Sequence, residues 1–257
     1  MTAVTDSPYR AYARLVLETM PEESRVGLTL GFVRTFGIPA IADVLGATGR
    51  MTDMPHARAK ATGAAMFALI GKGLDSDEGR RIVAMLRAVH DRPGITPELM
   101  HYVLACFTVC PLRFIDAHGH RAVTAEEREA AYVFHLGLAD ALGMPEPPGP
   151  GGRLAGVESW MRAYEDGHFA PSEAGRALWA STSAALLASR LPAPLAGLAP
   201  AVGASLLDQP LRTALGVRRP PAPVRLLVRG ALRIRAGVVR TAARRAAVRT
   251  ESPKAAE

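Results

Sequence analysis

Hydrophobic and polar positions along this chain form few of the alternating β-branched or aromatic runs that mark strands. Ala, Leu, Arg and Met dominate instead, and helix starts are frequent, so the pattern predicts an all-α protein. Asp53 with Pro55 predicts a helix to about Ile70, and Ser76 with Asp77 and Glu78 predicts another that reaches His90. Arg92-Pro93-Gly94 then breaks the chain. Thr96-Pro97-Glu98 combines an N-cap, a proline at the first helical position and an acid at the positive end of the helix dipole, predicting a helix to about Ala117. Thr124 and Glu127 make a capping-box pattern for a helix ending at Gly143. Pro145–Gly152 (PEPPGPGG) reads as a surface loop, and further helices are expected near 153–166, 172–190 and 195–207.

The 257 residues, 49% hydrophobic, suffice for one large core. The expected organisation is a single multi-helix domain over residues 1–217, followed by a Pro-rich linker and an Arg-rich tail over 218–257. Charge sharpens this division: the tail carries +9 of a net +7, leaving residues 1–217 near −2. A sequence pI near 10.0 would suggest a nucleic-acid binder, but the globular part has no basic surplus, so nucleic acid is not an expected partner.

Within the tail, Val224–Arg249 contains no acid. At 100° per residue, Arg225, Arg229, Arg233, Arg240 and Arg244 fall in one sector of ~100°, with Leu227, Val228, Leu232, Ile234, Val238 and Val239 opposite. Such a helix suits an anionic membrane surface, or a face of its own core. Elsewhere no clear spanning helix is read: Leu191–Leu207 is broken by prolines and Val103–Leu112 is short. The N-terminal stretch lacks the pattern of a secretory signal. Cys106 and Cys110, four apart on one helix, do not suit a disulfide, and a reducing, cytoplasmic setting is expected, peripheral to the inner face of a membrane if the tail docks there.

The chemistry-bearing signals are sparse. HExxH, GxSxG, the P-loop and a GxGxxG following a strand are all missing, and without CxxCH covalent c-type haem is excluded. His118 and His120 sit two apart in an expected loop and read as solvated in preference to metal-bound. His90 closes one predicted helix beside the apolar run Val103–Leu112. From the residues alone it is either a haem ligand or a half-buried histidine favoured by the negative end of its helix dipole. Arg58 and Thr62, at i and i+4, share a face of the preceding helix, as a propionate- or oxygen-contacting pair or as a solvated edge.

Four segments in this order and spacing decide more: GFVRTFGIPAIA from Gly31, VHDRPGITPELMHYVLACFTVCPLRFIDAHGHRAVTAEE from Val89, HFAPSEAGRAL from His168 and LLDQPLRTALG from Leu206. Together they resemble the catalytic domain of the MpaB and rubber-oxygenase (latex-clearing protein) family, over roughly residues 10–217. The resemblance implies an all-helical haem b protein that cleaves carbon–carbon double bonds in isoprenoid chains with O₂. By it, His90 matches the proximal iron ligand, and Arg58 and Thr62 match the family's arginine and threonine on the helix before. Lys60 is one position out of register with a family polar residue and is given no role. Where rubber-cleaving members use an upstream glutamate as base, only Asp43 is comparable here, shorter by a methylene. An apolar, isoprenoid or lipid-like substrate other than rubber is therefore expected, with O₂ as co-substrate. Arg113 and Asp116 in PLRFID, and His168, fit family segments but read as helix-to-helix pairing groups, with Arg113 also within the candidates for a propionate contact. The alternative is a non-catalytic helical protein of the same fold that binds a lipid or partner at a membrane surface.

Overall fold

The computed structural model describes residues 8–47, 55–188 and 197–251, with side chains over 8–47, 60–183 and 197–245. Among the described residues there are twelve α-helices and no strand. They are α1 (Arg10–Arg14), α2 (Pro21–Thr35), α3 (Pro39–Ala47), α4 (Pro55–Lys72), α5 (Asp77–His90), α6 (Pro97–His118), α7 (Ala125–Ala141), α8 (Leu154–His168), α9 (Glu173–Ala188), α10 (Ala199–Ala204), α11 (Gln209–Ala214) and α12 (Ala222–Glu251). A widened π-helical turn, Leu15–Thr19, joins α1 towards α2.

The caps read from sequence at Ser76, Thr96 and Thr124 are formed. Ser76 Oγ accepts from Gly79 N (2.9 Å), Thr96 Oγ1 from Leu99 N (3.3 Å), and Thr124 with Glu127 closes a reciprocal box. Gly143, at φ +71°, ends the turn after α7 in the left-handed region that glycine occupies without strain. Three details differ from the expected pattern. The loop 145–152 holds one 3₁₀ turn, Pro150–Gly152, because its glycines accept positive φ. The expected helix 195–207 is the shorter α10, and α11 follows it from an unread Asp208 cap, whose carboxylate accepts from Leu211 N (3.1 Å). Asp53, the expected start of α4, lies outside the described residues, as do residues 189–196 of the expected segments.

α6 is the hub. It runs through Pro111 without ending, and thirteen of its residues are buried. α2 crosses it with the backbones in close approach: a Cβ on Gly31 would stand 2.5 Å from the Cys106 carbonyl oxygen, and one on Gly27 would collide with Pro111 Cα. The two glycines, one helical turn apart, are what allows the backbones to meet. Cys106 and Cys110 at this crossing are free thiols. α6 is the one helix among the described residues long and apolar enough to cross a membrane by composition, and 72% of its apolar window is buried inside the protein. α7 and α8 flank α6, α4 runs beside α2, and α5 folds back on α4. α2 and α3 meet at a bend of 97° around Gly37 and Ile38.

The tail is a continuous helix that touches the body over part of one face. Ala236 is buried and Val228, Leu232 and Val239 are half-buried, while Leu226, Leu227, Ile234 and Val238 remain 64–73% exposed. The apolar side anticipated as one surface is thus divided between the core and solvent. Arg235 lies on the inward side because it meets the buried carboxylate of Glu23, and Arg240 Nε donates to the His120 carbonyl (2.9 Å).

Candidate functional site

His90 stands at the C-terminal end of α5, half-buried. Its Nδ1–H donates to the Leu86 carbonyl one turn back (2.7 Å). A carbonyl only accepts, so Nδ1 carries a proton, and in the neutral imidazole this is the tautomer whose Nε2 is the basic nitrogen, as in metal-ligating histidines. α4 and α5 are adjacent helices joined by residues 73–76, with Gly73 at φ +91°. In such a hairpin the start of α4 and the end of α5 lie at the same end, so the helical positions of Arg58 and Thr62 fall at about the level of His90. Thr62 is half-buried, and the side chain of Arg58 lies outside the described residues. Asp43 is exposed on α3.

Arg113 is not brought to this end. It sits ~24 Å along α6 from Pro97 at 1.5 Å per residue, where its Nε donates to Glu158 Oε1 of α8 (2.6 Å). Asp116 accepts from Val123 N (2.9 Å) and pairs with Arg128, holding the turn between α6 and α7. His168 Nδ1–H donates to the Tyr164 carbonyl (2.8 Å) and its ring stacks on Tyr164 with centroids 3.9 Å apart. Arg113 and Asp116 thus take the helix-to-helix pairing roles expected of them, whereas these His168 contacts stay within its own helix. The His118 ring lies tilted against Phe114 with centroids 4.7 Å apart, and burial followed by the charge of Arg229 lowers its pKa. Among the described residues no three His, Cys, Asp or Glu side chains come together as a metal-binding group.

A second polar cluster was missed in the sequence. Arg34, in GFVRTFG, grips Glu165 through two parallel bonds (Nε–Oε1 2.5 Å, Nη2–Oε2 2.6 Å) and Asp208 through a third (Nη1–Oδ2 2.7 Å). Tyr102 OH donates to Glu165 Oε1 (3.0 Å), and the Arg34 guanidinium lies 5.4 Å from the Phe169 ring centre. Burial disfavours the charged guanidinium, but the hydrogen bonds and charge of Glu165 outweigh it and raise the Arg34 pKa. The tie continues through the backbone, where Ala170 N donates to the Gly37 carbonyl (3.2 Å). Arg34, Phe169 and Asp208 come from three separate segments of the chain, and Tyr102 comes from a fourth.

Those four segments are the ones that carried the family resemblance, and their convergence on one network agrees with a direct comparison. The family described as ER-bound oxygenase mpaB/B'/rubber oxygenase, catalytic domain, matches residues 22–241.

The chain belongs to this family.

Among curated relatives, the ER-bound oxygenase mpaB of Penicillium brevicompactum is 29% identical over 212 residues, covering 76% of this chain and 53% of the relative. The ER-bound oxygenase mpaB of Penicillium roqueforti strain FM164 is 30% identical over 171 residues, covering 60% and 57%. The ER-bound oxygenase mpaB' of Penicillium brevicompactum is 29% identical over 199 residues, covering 71% and 46%. The chain thus spans about half the length of the relatives it matches. The stretch matched to the mpaB/rubber-oxygenase family includes both helices of the His90 hairpin, the Arg34 network and most of α12.

Proposed function

We propose that this member of the mpaB/rubber-oxygenase family is a haem b-dependent oxygenase of an apolar substrate. The observation that carries the reading is the His90 imidazole, with its Nδ1–H bond to the Leu86 carbonyl. The donor chemistry fits haem iron: a histidine on the last turn of a helix, with its Nδ1–H tied to a backbone carbonyl so that its neutral form offers Nε2. His90 holds the iron, and Arg58 and Thr62 stand on the adjoining helix at the same level. Arg58 supplies a permanent positive charge for a propionate or for charge developing on oxygen, and Thr62 a hydroxyl beside it. Bound there, haem b supplies the redox chemistry by which O₂ splits a carbon–carbon double bond into two carbonyl groups. Asp43, exposed on α3, is the acid nearest in sequence to the role of a base.

The purified chain, expressed with haem supplied, is expected to show a Soret band, and His90→Ala to lose both the band and the bound haem. An unchanged band and haem content in His90→Ala would falsify the assignment. A colourless wild-type chain would favour the non-catalytic lipid- or partner-binding reading.

Attachment to an anionic membrane surface through α12 is supported by a specific feature of the helix. Leu226, Leu227, Ile234 and Val238 are exposed next to Arg229, Arg233, Arg240 and Arg244, which are also exposed. Full-length chain should float with vesicles containing phosphatidylserine, and a chain ending at Val217 should not. Equal flotation of the two removes α12 from membrane binding.

A further inference from the structure

A cavity of about 520 Å³ lies between α2, α9, α10 and α12, and among the described residues none of α4 or α5 lines it. Its volume falls in the range of small-molecule sites, ~300–1,000 Å³. Among the described residues the wall is almost wholly apolar, with Val33, Trp179, Val202 and Val228 representative of its four sides. Of the three hydroxyls in it, Thr29 and Ser183 are satisfied within their own helices, bonding the Arg25 and Ala180 carbonyls. Thr182 Oγ1 is buried with no partner. Such a lining suits a hydrocarbon chain and, apart from the Thr182 hydroxyl, offers no free polar group among the described residues.

The rim on the α12 side is of opposite character. Val224 and Val228 of the wall flank Arg225, in the first turn of α12, where the positive end of the helix dipole lies. Arg225 Nε is buried without a hydrogen-bond partner. Partial burial lowers the pKa of Arg225, and the charges of Arg219, Arg229 and Arg212 lower it further. No carboxylate among the described residues pairs with any of these four arginines, although others on the surface are paired. The charges of Arg219, Arg229 and Arg212 thus act on Arg225, beside Val224 and Val228 of the wall, and an anion arriving there relieves the repulsion.

We propose that the cavity and the arginines at its rim form a binding site for a single-chain anionic amphiphile, its hydrocarbon chain in the cavity and its carboxylate or phosphate head on Arg225 and Arg229. The site is separate from His90 and does not rest on haem binding. Trp179 in the wall is its reporter, and Trp160→Phe leaves it as the sole tryptophan.

Titration of Trp160→Phe chain with monomeric oleate, oleyl phosphate and oleyl alcohol should shift Trp179 emission. The two anions should bind about tenfold more tightly than the alcohol, as charge-assisted hydrogen bonds require. Arg225→Gln with Arg229→Gln should remove that difference and leave the alcohol unchanged, and Arg225→Lys with Arg229→Lys should keep most of it. Val202→Phe, which fills the cavity, should weaken all three, with unchanged helical circular dichroism as the check on folding. The same titrations on His90→Ala chain should agree with these. Equal affinity for oleate and oleyl alcohol, an undiminished anion preference in the double Gln variant, full binding in Val202→Phe, or no titration at all would each overturn the proposal. Comparison of oleate with oleyl phosphate then tells a free fatty acid from a phosphate-headed lipid, since the better match of head to arginines binds more tightly.

Discussion

The α2–α6 crossing and the α4–α5 hairpin are built to opposite specifications. At the crossing, backbones meet over Gly27 and Gly31, and every charged group in the neighbouring network has its partner: Arg34 with Glu165 and Asp208, Glu165 with Tyr102. In the hairpin, only Gly79 and Val83 of α5 are buried, and His90 is half-exposed with its Nδ1–H bonded to a carbonyl of its own helix. The crossing maintains the fold, and the hairpin presents a side chain.

Breaking the network should have the largest effect. Arg34→Ala leaves the Glu165 carboxylate, 6% exposed, without its cation, and is expected to cost about 3–5 kcal/mol in urea unfolding. A loss below 1 kcal/mol would mean that the crossing tolerates an unpaired charge and the contrast fails. Gly31→Ala comes next. Its Cβ would press on the Cys106 carbonyl, and overpacking of this kind costs about 1–3 kcal/mol. The same change at Gly167, where a Cβ meets nothing, should be neutral or stabilising.

A pH effect of intermediate size belongs to the α6–α7 interface. Thr108 Oγ1 donates to the Leu104 carbonyl (3.0 Å), so its contact with His135 Nδ1 (3.1 Å) is a bond donated by the imidazole. Burial, and then the neighbouring His101, lower the His135 pKa to about 4. The unfolded chain takes up the proton near pH 6.5 and the folded chain only near 4, so stability is complete above 6.5 and declines as pH falls through that interval. The decline should be on the order of 3 kcal/mol. His135→Gln should flatten it in unfolding titrations between these limits, and an unaltered slope would remove His135 as its source.

Much of the helical order is legible locally, because caps are local. Ser76, Thr96 and Thr124 announce α5, α6 and α7 through side chains that bond residues three positions on. His90 is legible as the end of α5 for the same reason. Arg34 is not. Its partners lie 131 and 174 positions away, and an arginine between apolar neighbours carries no local sign of which acids will meet it. A lone charge in GFVRTFG was nevertheless a signal, since a buried cation requires an acid somewhere. The divided face of α12 was hidden for a similar reason: helical angles group Leu227, Val228, Ile234 and Val239 together, but only the packed body determines which of them it covers. Arg113 illustrates the converse, a charge whose family position suggested a ligand contact and whose nearest partner is Glu158.

The smallest effect on stability and the largest on chemistry should coincide at His90. His90→Ala removes a half-exposed side chain and should change the unfolding free energy by less than about 1 kcal/mol. The most direct measurement is the absorption spectrum and haem content of wild-type and His90→Ala chains, purified side by side with equal unfolding midpoints. A Soret band in the wild type that disappears in the variant is the predicted result. Equal bands in both, or no band in a folded, haem-supplied wild type, would contradict the account.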